Sequence, residues 1–334
     1  MRRTSRPLCG EIFYKQYQTS GLSYTIRPTK YGSLQMNRAA IKVQSRDKIF
    51  VLGIGAQKAG TSWLHKQLCT SPYFEPGFTK EYHIFDSLYS PVCKNIRGRL
   101  LESTERAIKK IDSSKTHPSK PSQHAKRLSF IESTDNYFEY FDYLWLSKAN
   151  INSTGDITPS YSTLDAKSFE IIREGLTRKG FQPKVIFLMR DPIERIWSML
   201  RMEWRNSCQH VEFEEAMQRL LTCHRQPGVK LRTQYDRTIT ELEKVFPANE
   251  IYYGFYENLF KHENFKTLID FLGIEIPTPS FDQSVNASPK GEIQDAEANI
   301  AAEIVSTYSS VYCFIRERFG DQIVDLWPSY KYTN

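Results

Sequence analysis

The sequence predicts an α/β fold of three layers, a central, mainly parallel sheet flanked by helices. Apolar runs of strand length recur at Ile49–Ile54, Lys184–Met189 and Glu250–Phe255. The first two lack polar alternation, as strands buried on both faces do. Helical patterns separate the runs: Thr61 onward with Leu64 and Leu68 on one face, the aromatic stretch Phe138–Leu146, a helix from Pro192 through about Asn206, and Asn264–Leu272 ended by Gly273. Strands that alternate with helices imply a parallel sheet.

Charge divides the chain into segments. Residues 1–48 hold ten Lys/Arg against two acidic residues and show no periodicity. They read as an N-terminal extension outside a domain spanning 49–334. A disordered arm, an acid-poor transit-like presequence and a translated stretch ahead of a start at Met36 all fit. Residues 94–130 carry ten Lys/Arg against three acidic residues. There a short helix around Leu100–Ile111 precedes a Ser/Lys/Pro/His-rich stretch, the mark of a mobile basic insertion. The remainder holds 25 basic and 33 acidic residues, so the net +7 comes from two segments. That is not the profile of a nucleic-acid binder, although the basic segments suit an anionic partner. No apolar run approaches the ~20 residues of a membrane span, and no apolar run follows the N-terminal arginines as in a signal peptide. The six cysteines are scattered, which fits neither a metal site nor a disulfide framework and points to a reducing, cytoplasmic compartment.

The most informative segment is Gly55-Ala-Gln-Lys-Ala-Gly-Thr-Ser-Trp-Leu, directly after the first strand. A glycine-bearing strand-to-helix turn aims backbone N–H groups and the positive helix end at one spot, a natural site for a phosphate-like anion. Thr61 and Ser62 add hydroxyls and Lys58 adds a charge. The spacing is P-loop-like, close to G-x-x-x-x-G-K-[ST], but Thr61 stands where that motif has lysine. Arg190 closes the second strand, and Ser198 lies eight residues on, about two helical turns. Both can face the mouth of the sheet, where an Arg fork with a hydroxyl suits a phosphate monoester. A surface ion pair of Arg190 with Asp191 or Glu194 is the alternative.

Gly55–Leu64 resembles the 5′-phosphosulfate loop of sulfotransferases that use 3′-phosphoadenosine 5′-phosphosulfate (PAPS), and Val185–Ser198 resembles their 3′-phosphate motif. Thr79–Asp86, Gly155–Tyr161, Tyr256–Leu259 and Ser288–Gly291 are similar, in order, to segments of the carbohydrate (heparan-sulfate-like) branch and its soluble bacterial relatives. The sequence lacks that branch's membrane anchor, and no cysteine lies between Cys223 and Cys313 for its late-loop disulfide.

The resemblance implies PAPS as donor, with no metal required, and an acceptor hydroxyl or amine, open among polysaccharide, lipid and small molecule. Lys58, Ala59, Gly60, Thr61, Ser62, Trp63, Arg190, Ser198, Lys290 and Gly291 are the implied donor site. Lys58 would neutralise the leaving group. Glu81 would be the base, with His83, as a neutral imidazole, the alternative or a partner. Lys80, Thr158 and Tyr161 would line the acceptor side, although Pro159 and Tyr161 also suit a structural turn. Tyr256 and Glu257 read as mainly structural. The rival readings are a P-loop kinase or phosphotransferase, disfavoured by the displaced lysine, and a non-catalytic anion-binding protein. The basic insertion at 94–130 is expected beside the acceptor cleft.

Overall fold

The computed structural model describes residues 47–113, 119–207, 211–277, 279–281 and 298–333, and three strands ahead of them. Side chains are described from residue 47 on, except at 107, 108 and 110–122. Residues 1–46 form a separate unit, in which β1 (Gln16–Thr19), β2 (Leu22–Pro28) and β3 (Leu34–Ala39) pair as an antiparallel meander. The rest of the expected extension lies outside the described residues.

The second unit is built on the expected parallel sheet. Its strands are β4 (Ile49–Gly55), β5 (Phe74–Glu75), β6 (Ser153–Ile157), β7 (Gln182–Met189) and β8 (Ile251–Phe255), in the order β5-β6-β4-β7-β8 and parallel throughout. The central strand β4 is buried along its whole length, as an unbroken apolar run requires. Hydrophobic pattern does not announce β6, whose sequence is Ser-Thr-Gly-Asp-Ile, yet all five residues are buried. Its polar atoms are satisfied inside: Ser153 Oγ donates to the Tyr73 carbonyl at 3.1 Å, and Thr154 Oγ1 to that of Glu75 at 2.7 Å.

The helices ahead of β8 are α1 (Thr61–Leu68), α2 (Phe85–Tyr89), α3 (Ile96–Ser113), α4 (Ser119–Glu132), α5 (Thr134–Ser147), α6 (Ala166–Arg178), α7 (Pro192–Ser207), α8 (Phe213–Cys223), α9 (Pro227–Thr233) and α10 (Tyr235–Glu243), and further helices follow it. The helix expected at 264–272 starts at His262 and ends at Gly273, φ 65°. The helix expected around 100–111 is longer, and α4 covers much of the stretch read as a mobile insertion. Aromatic packing explains why. Phe130 of α4 is buried with its ring centroid 6.4 Å from Tyr82 and 6.0 Å from Tyr137 of α5, while Tyr82 and Phe50 of β4 meet Phe141 at 5.0 and 4.9 Å. These rings join the basic helices to the sheet.

The carboxyl ends of β4 and β7 lie side by side, where ligands of open α/β sheets bind. Gly155 of β6 sits opposite Val51 of β4, and a Cβ there would lie 2.3 Å from the Val51 carbonyl oxygen. Neither central strand can yield cheaply. Gly155→Ala is expected to destabilise the domain by about 1–3 kcal/mol, read as a lower urea midpoint. An unchanged midpoint would show that the two strands are not packed this closely.

Candidate active site

The turn between β4 and α1 builds an anion cradle. Gly60, the N-cap of α1, has φ 89°, and no side chain caps the helix. A Cβ there would lie 2.7 Å from Leu259 Cδ2, so glycine is needed for both conformation and space. Lys58 is left-handed too, at φ 72°, a conformation that costs a β-carbon-bearing residue roughly 1–3 kcal/mol. Burial lowers its pKa to about 8, helped by Arg205, Arg190, Arg201 and Lys80. Ser62 lines the same cavity with Thr61 and Trp63, whose indole donates to the Ser280 carbonyl at 3.2 Å. Ala59 is fully buried and shapes the turn through its N–H, which donates to Ala56.

Arg190 ties the second element to the first, donating through Nη1 to the Lys58 carbonyl at 3.3 Å. Its ion pair with Glu194 exists, at 3.0 Å, but not at the surface: the arginine side chain is 12% exposed. Its guanidinium lies 4.2 Å from the centroid of the Tyr256 ring, which gives Tyr256 a place in the cavity wall. Glu257 is structural, accepting from the Asp191 N–H at 3.0 Å. Ser198 lines the cavity from α7, followed on the same helical face by Arg201 and Arg205. Asp191, fully buried, accepts from the Ser329 N–H at 2.9 Å and the Ser329 hydroxyl at 2.8 Å, bringing Lys331 and Tyr332 of a late 3₁₀ turn to the cavity.

The third element is a chain of ionised groups. Lys80 Nζ lies 2.5 Å from Glu81 Oε1 and 3.4 Å from Thr61 Oγ1. Glu81 Oε2 is 3.2 Å from His83 Nε2, and His83 Nδ1 is 2.7 Å from Asp86 Oδ2, which also accepts from Ser160 Oγ. Burial alone would raise the Glu81 pKa, but hydrogen bonds from His83 and Lys80 and the Lys80 charge outweigh it and hold the carboxyl at about 2. Burial would likewise lower His83, yet Asp86 and Glu81 raise it to about 9. His83 is therefore an imidazolium at neutral pH, not the neutral imidazole expected. Its proton is already in place, which favours Glu81 as the acceptor of a further one.

Two expected acceptor residues lie elsewhere. Thr158 and Tyr161 are fully buried and do not line the cavity; their neighbours Pro159 and Ser160 do. Thr158 Oγ1 donates to Asp156 Oδ1 at 2.6 Å and accepts from the Tyr82 N–H at 3.0 Å. Tyr161 donates to Asp156 Oδ2 at 2.8 Å and accepts from the Ile84 N–H at 3.3 Å. Both brace the segment that carries Glu81 and His83. Lys290 and Gly291 lie outside the described residues.

These elements enclose one cavity of about 1370 Å³, whose lining includes nine Lys/Arg and two carboxylates, Glu81 and Glu194. That imbalance selects anionic ligands. Sequence reasoning missed Arg201, Arg205, Arg232 and Lys331. Helical spacing from Ser198 could have found the first two. Arg232 and Lys331 come from distant segments and carry no local signal. Helix α3 presents Ile96, Arg99, Leu100 and Ser103 to the cavity and α4 presents His124 and Arg127, so the basic helices form part of its wall. Cys69, Cys93, Cys223 and Cys313 are free thiols, and no described helix is long and apolar enough to cross a membrane.

The sulfotransferase domain family matches residues 46–312. No curated protein matches the chain. Among solved structures, the chain is similar to a sulfotransferase from Alicyclobacillus acidocaldarius, with 13% identity over 81% of this chain and 95% of that one and a TM-score of 0.49. It is also similar to the sulfotransferase domain of the Synechococcus PCC 7002 olefin synthase, with 17% identity over 70% and 76% and a TM-score of 0.42. A third is a mouse sulfotransferase complexed with PAP, with 14% identity over 80% and 87% and a TM-score of 0.37.

The His83 assignment is open to measurement. Its imidazole should titrate near pH 9 by NMR, well above its ordinary 6.5, and Asp86→Asn should bring it down by at least about one unit, ~1.4 kcal/mol. A raised pKa means that its contribution to stability is full below about 6.5 and is lost as the pH climbs through 9. Glu81 runs the other way: its contribution is present above about 4.5 and is lost as the pH falls toward 2. A His83 midpoint near 6.5 would refute the arrangement.

Proposed function

The chain belongs to the sulfotransferase domain family, and on that premise we propose that it transfers a sulfuryl group from PAPS to an acceptor hydroxyl or amine. The observation that carries this reading is the position of Lys80. Its ammonium touches both the Glu81 carboxylate and the Thr61 hydroxyl that opens α1, so the proposed base and the anion cradle share one cation.

The residues present suit such a donor. Two anion positions, the cradle at Lys58–Trp63 and the Arg190–Ser198 pair, open on one cavity. Two such positions on one cavity suit a nucleotide with phosphate groups at both its 3′ and 5′ positions. The donor supplies an activated sulfuryl group on a phosphate leaving group. Transfer of this kind is governed by positioning and charge stabilisation. The acceptor oxygen bonds to sulfur as the bond from sulfur to the bridging oxygen breaks; the leaving phosphate keeps the electron pair, and the acceptor proton passes to Glu81. Lys58 neutralises the charge that grows on the bridging oxygen, an effect typically worth about 10²–10³ in rate.

Lys80 links these roles. While it holds Glu81 the carboxylate is a weak base, and an anion at the cradle competes for the same ammonium. Filling the cradle therefore raises the basicity of Glu81 when a base is needed. The His83 imidazolium keeps the carboxylate oriented, with Asp86 and Ser160 behind it.

Adenosine 3′,5′-bisphosphate is expected to bind in excess chelator, measured by calorimetry; tighter binding of ATP with magnesium would instead favour a kinase. Its affinity should fall by about tenfold per pH unit above pH 8 as Lys58 loses its proton, and Lys58→Arg should flatten that slope. Arg190→Ala should weaken the bisphosphate far more than adenosine 5′-phosphosulfate, which lacks the 3′-phosphate. Glu81→Gln should lower the turnover of radiolabelled donor by about 10²–10⁴ while the bisphosphate still binds. Unchanged turnover would remove Glu81 from the reaction.

A further inference from the structure

The cavity also has an apolar component. Val92, Cys93, Ile96, Leu100 and Ile193 give it an apolar wall. Into the same space reach guanidinium groups that the donor site does not use. Arg127 is half-buried and donates through Nε to the Tyr82 carbonyl at 2.8 Å, on the backbone beside Glu81. Arg232 of α9 is also half-buried. It donates to the Gly228 carbonyl at 2.7 Å and to the Cys93 thiol at 3.2 Å, and its buried Nε has no partner. A thiol is a weak acceptor, and burial raises the pKa of this one, which keeps it uncharged.

Behind the wall, Arg195 of α7 is fully buried and does not line the cavity; neither its Nε nor its Nη1 is hydrogen-bonded, and it lies within electrostatic reach of Arg232. Among the described residues, no carboxylate forms an ion pair with Arg127, Arg195 or Arg232. The lining carboxylates are engaged elsewhere, Glu194 with Arg190 and Glu81 with Lys80 and His83. Half-buried guanidinium groups without a close counter-ion carry part of the cost of a desolvated charge, and the charges of Asp86, Asp156 and Glu81 reach Arg127 without an ion pair. A ligand anion between Arg127 and Arg232 would offset that cost.

The geometry points to an amphiphilic organic acid as the acceptor: a hydroxyl at Glu81, an apolar body along Val92, Ile96, Leu100 and Ile193, and an acidic group held by Arg127 and Arg232. This rests on the sulfuryl-transfer reading above and adds the acceptor class to it. A uniformly polar, polyanionic sugar chain would satisfy the arginines but leave the apolar wall wet, whereas an uncharged alcohol would do the reverse. The weak Cys93 partner of Arg232 is one that a carboxylate would readily displace, because a charge-assisted hydrogen bond is roughly twice as strong as a neutral one.

The test is calorimetry on the full chain saturated with adenosine 3′,5′-bisphosphate. The probes are ω-hydroxydodecanoate, its methyl ester, γ-hydroxybutyrate and a heparan sulfate hexasaccharide. The acid should bind at least about tenfold more tightly than the ester, and more tightly than either polar anion. Arg127→Met and Arg232→Met should each bring the acid about tenfold closer to the ester. Equal affinity of acid and ester for the unaltered protein overturns the proposal without recourse to any variant. Tighter binding of the hexasaccharide or of γ-hydroxybutyrate overturns the apolar half of it. If the bisphosphate fails to bind while the acid still binds, the sulfuryl-transfer reading falls and the acid pocket stands; bisphosphate binding with no acid binding rejects the pocket alone.

Discussion

The site depends on one buried carboxylate. Asp156, at the end of β6, accepts hydrogen bonds from Thr158, Tyr161 and Tyr137, and burial raises its pKa to about 6 against their opposing pull. Two of those hydroxyls in turn accept from the backbone N–H groups of Tyr82 and Ile84. The path from a central strand to the segment that carries Glu81 therefore runs through a carboxylate, two hydroxyls and two peptide groups. Each of these donors and acceptors is satisfied by the next, which is the condition under which a buried polar network rigidifies its surroundings. His83 sits between the two clamped peptides at φ 56°, a conformation that persists only where the surroundings impose it.

The cavity follows the opposite rule. Around Asp156 every polar group finds a partner, but along the walls cations outnumber anions, and several buried guanidinium atoms have no partner. Repulsion among Lys58, Arg190, Arg201 and Arg205 is a cost that the sheet and its packed aromatic rings must carry. An anionic ligand recovers that cost as binding energy. The division is physical: a rigid, satisfied frame lies beneath Glu81, and a surface with excess positive charge lines the cavity.

Sequence made the frame of the fold legible wherever hydrophobic pattern is one-sided. The runs at Ile49–Ile54 and Lys184–Met189 lie within β4 and β7, and the glycine-bearing turn between β4 and α1 sits at the cavity. It did not reveal β6, because Ser153, Thr154 and Asp156 are polar residues whose partners come from segments far along the chain. The same limit explains Thr158 and Tyr161. Their types suggested ligand contact, but burial beside Asp156 turned both hydroxyls inward. The charge of His83 is set by Glu81, two residues before it, and Asp86, three after it, and sequence spacing alone does not show that both carboxylates turn onto the ring. Arg195 and Arg232 show the limit at its plainest, since nothing adjacent in sequence marks either as lacking a counter-ion.

The bond between Asp191 and Ser329 spans 138 residues. Asp191 directly follows the arginine that closes β7, and the late 3₁₀ turn supplies two of the hydrogen bonds to its buried carboxylate. On a ribosome that extends the chain at about 5–20 residues per second, the carboxylate must wait on the order of ten seconds for that partner. During this interval the Arg190 side of the site lacks one of its supports, so an anionic ligand meets the completed pocket only after the late turn has been made. Ligand competence thus becomes a late event in the life of each nascent molecule, set by the order of synthesis.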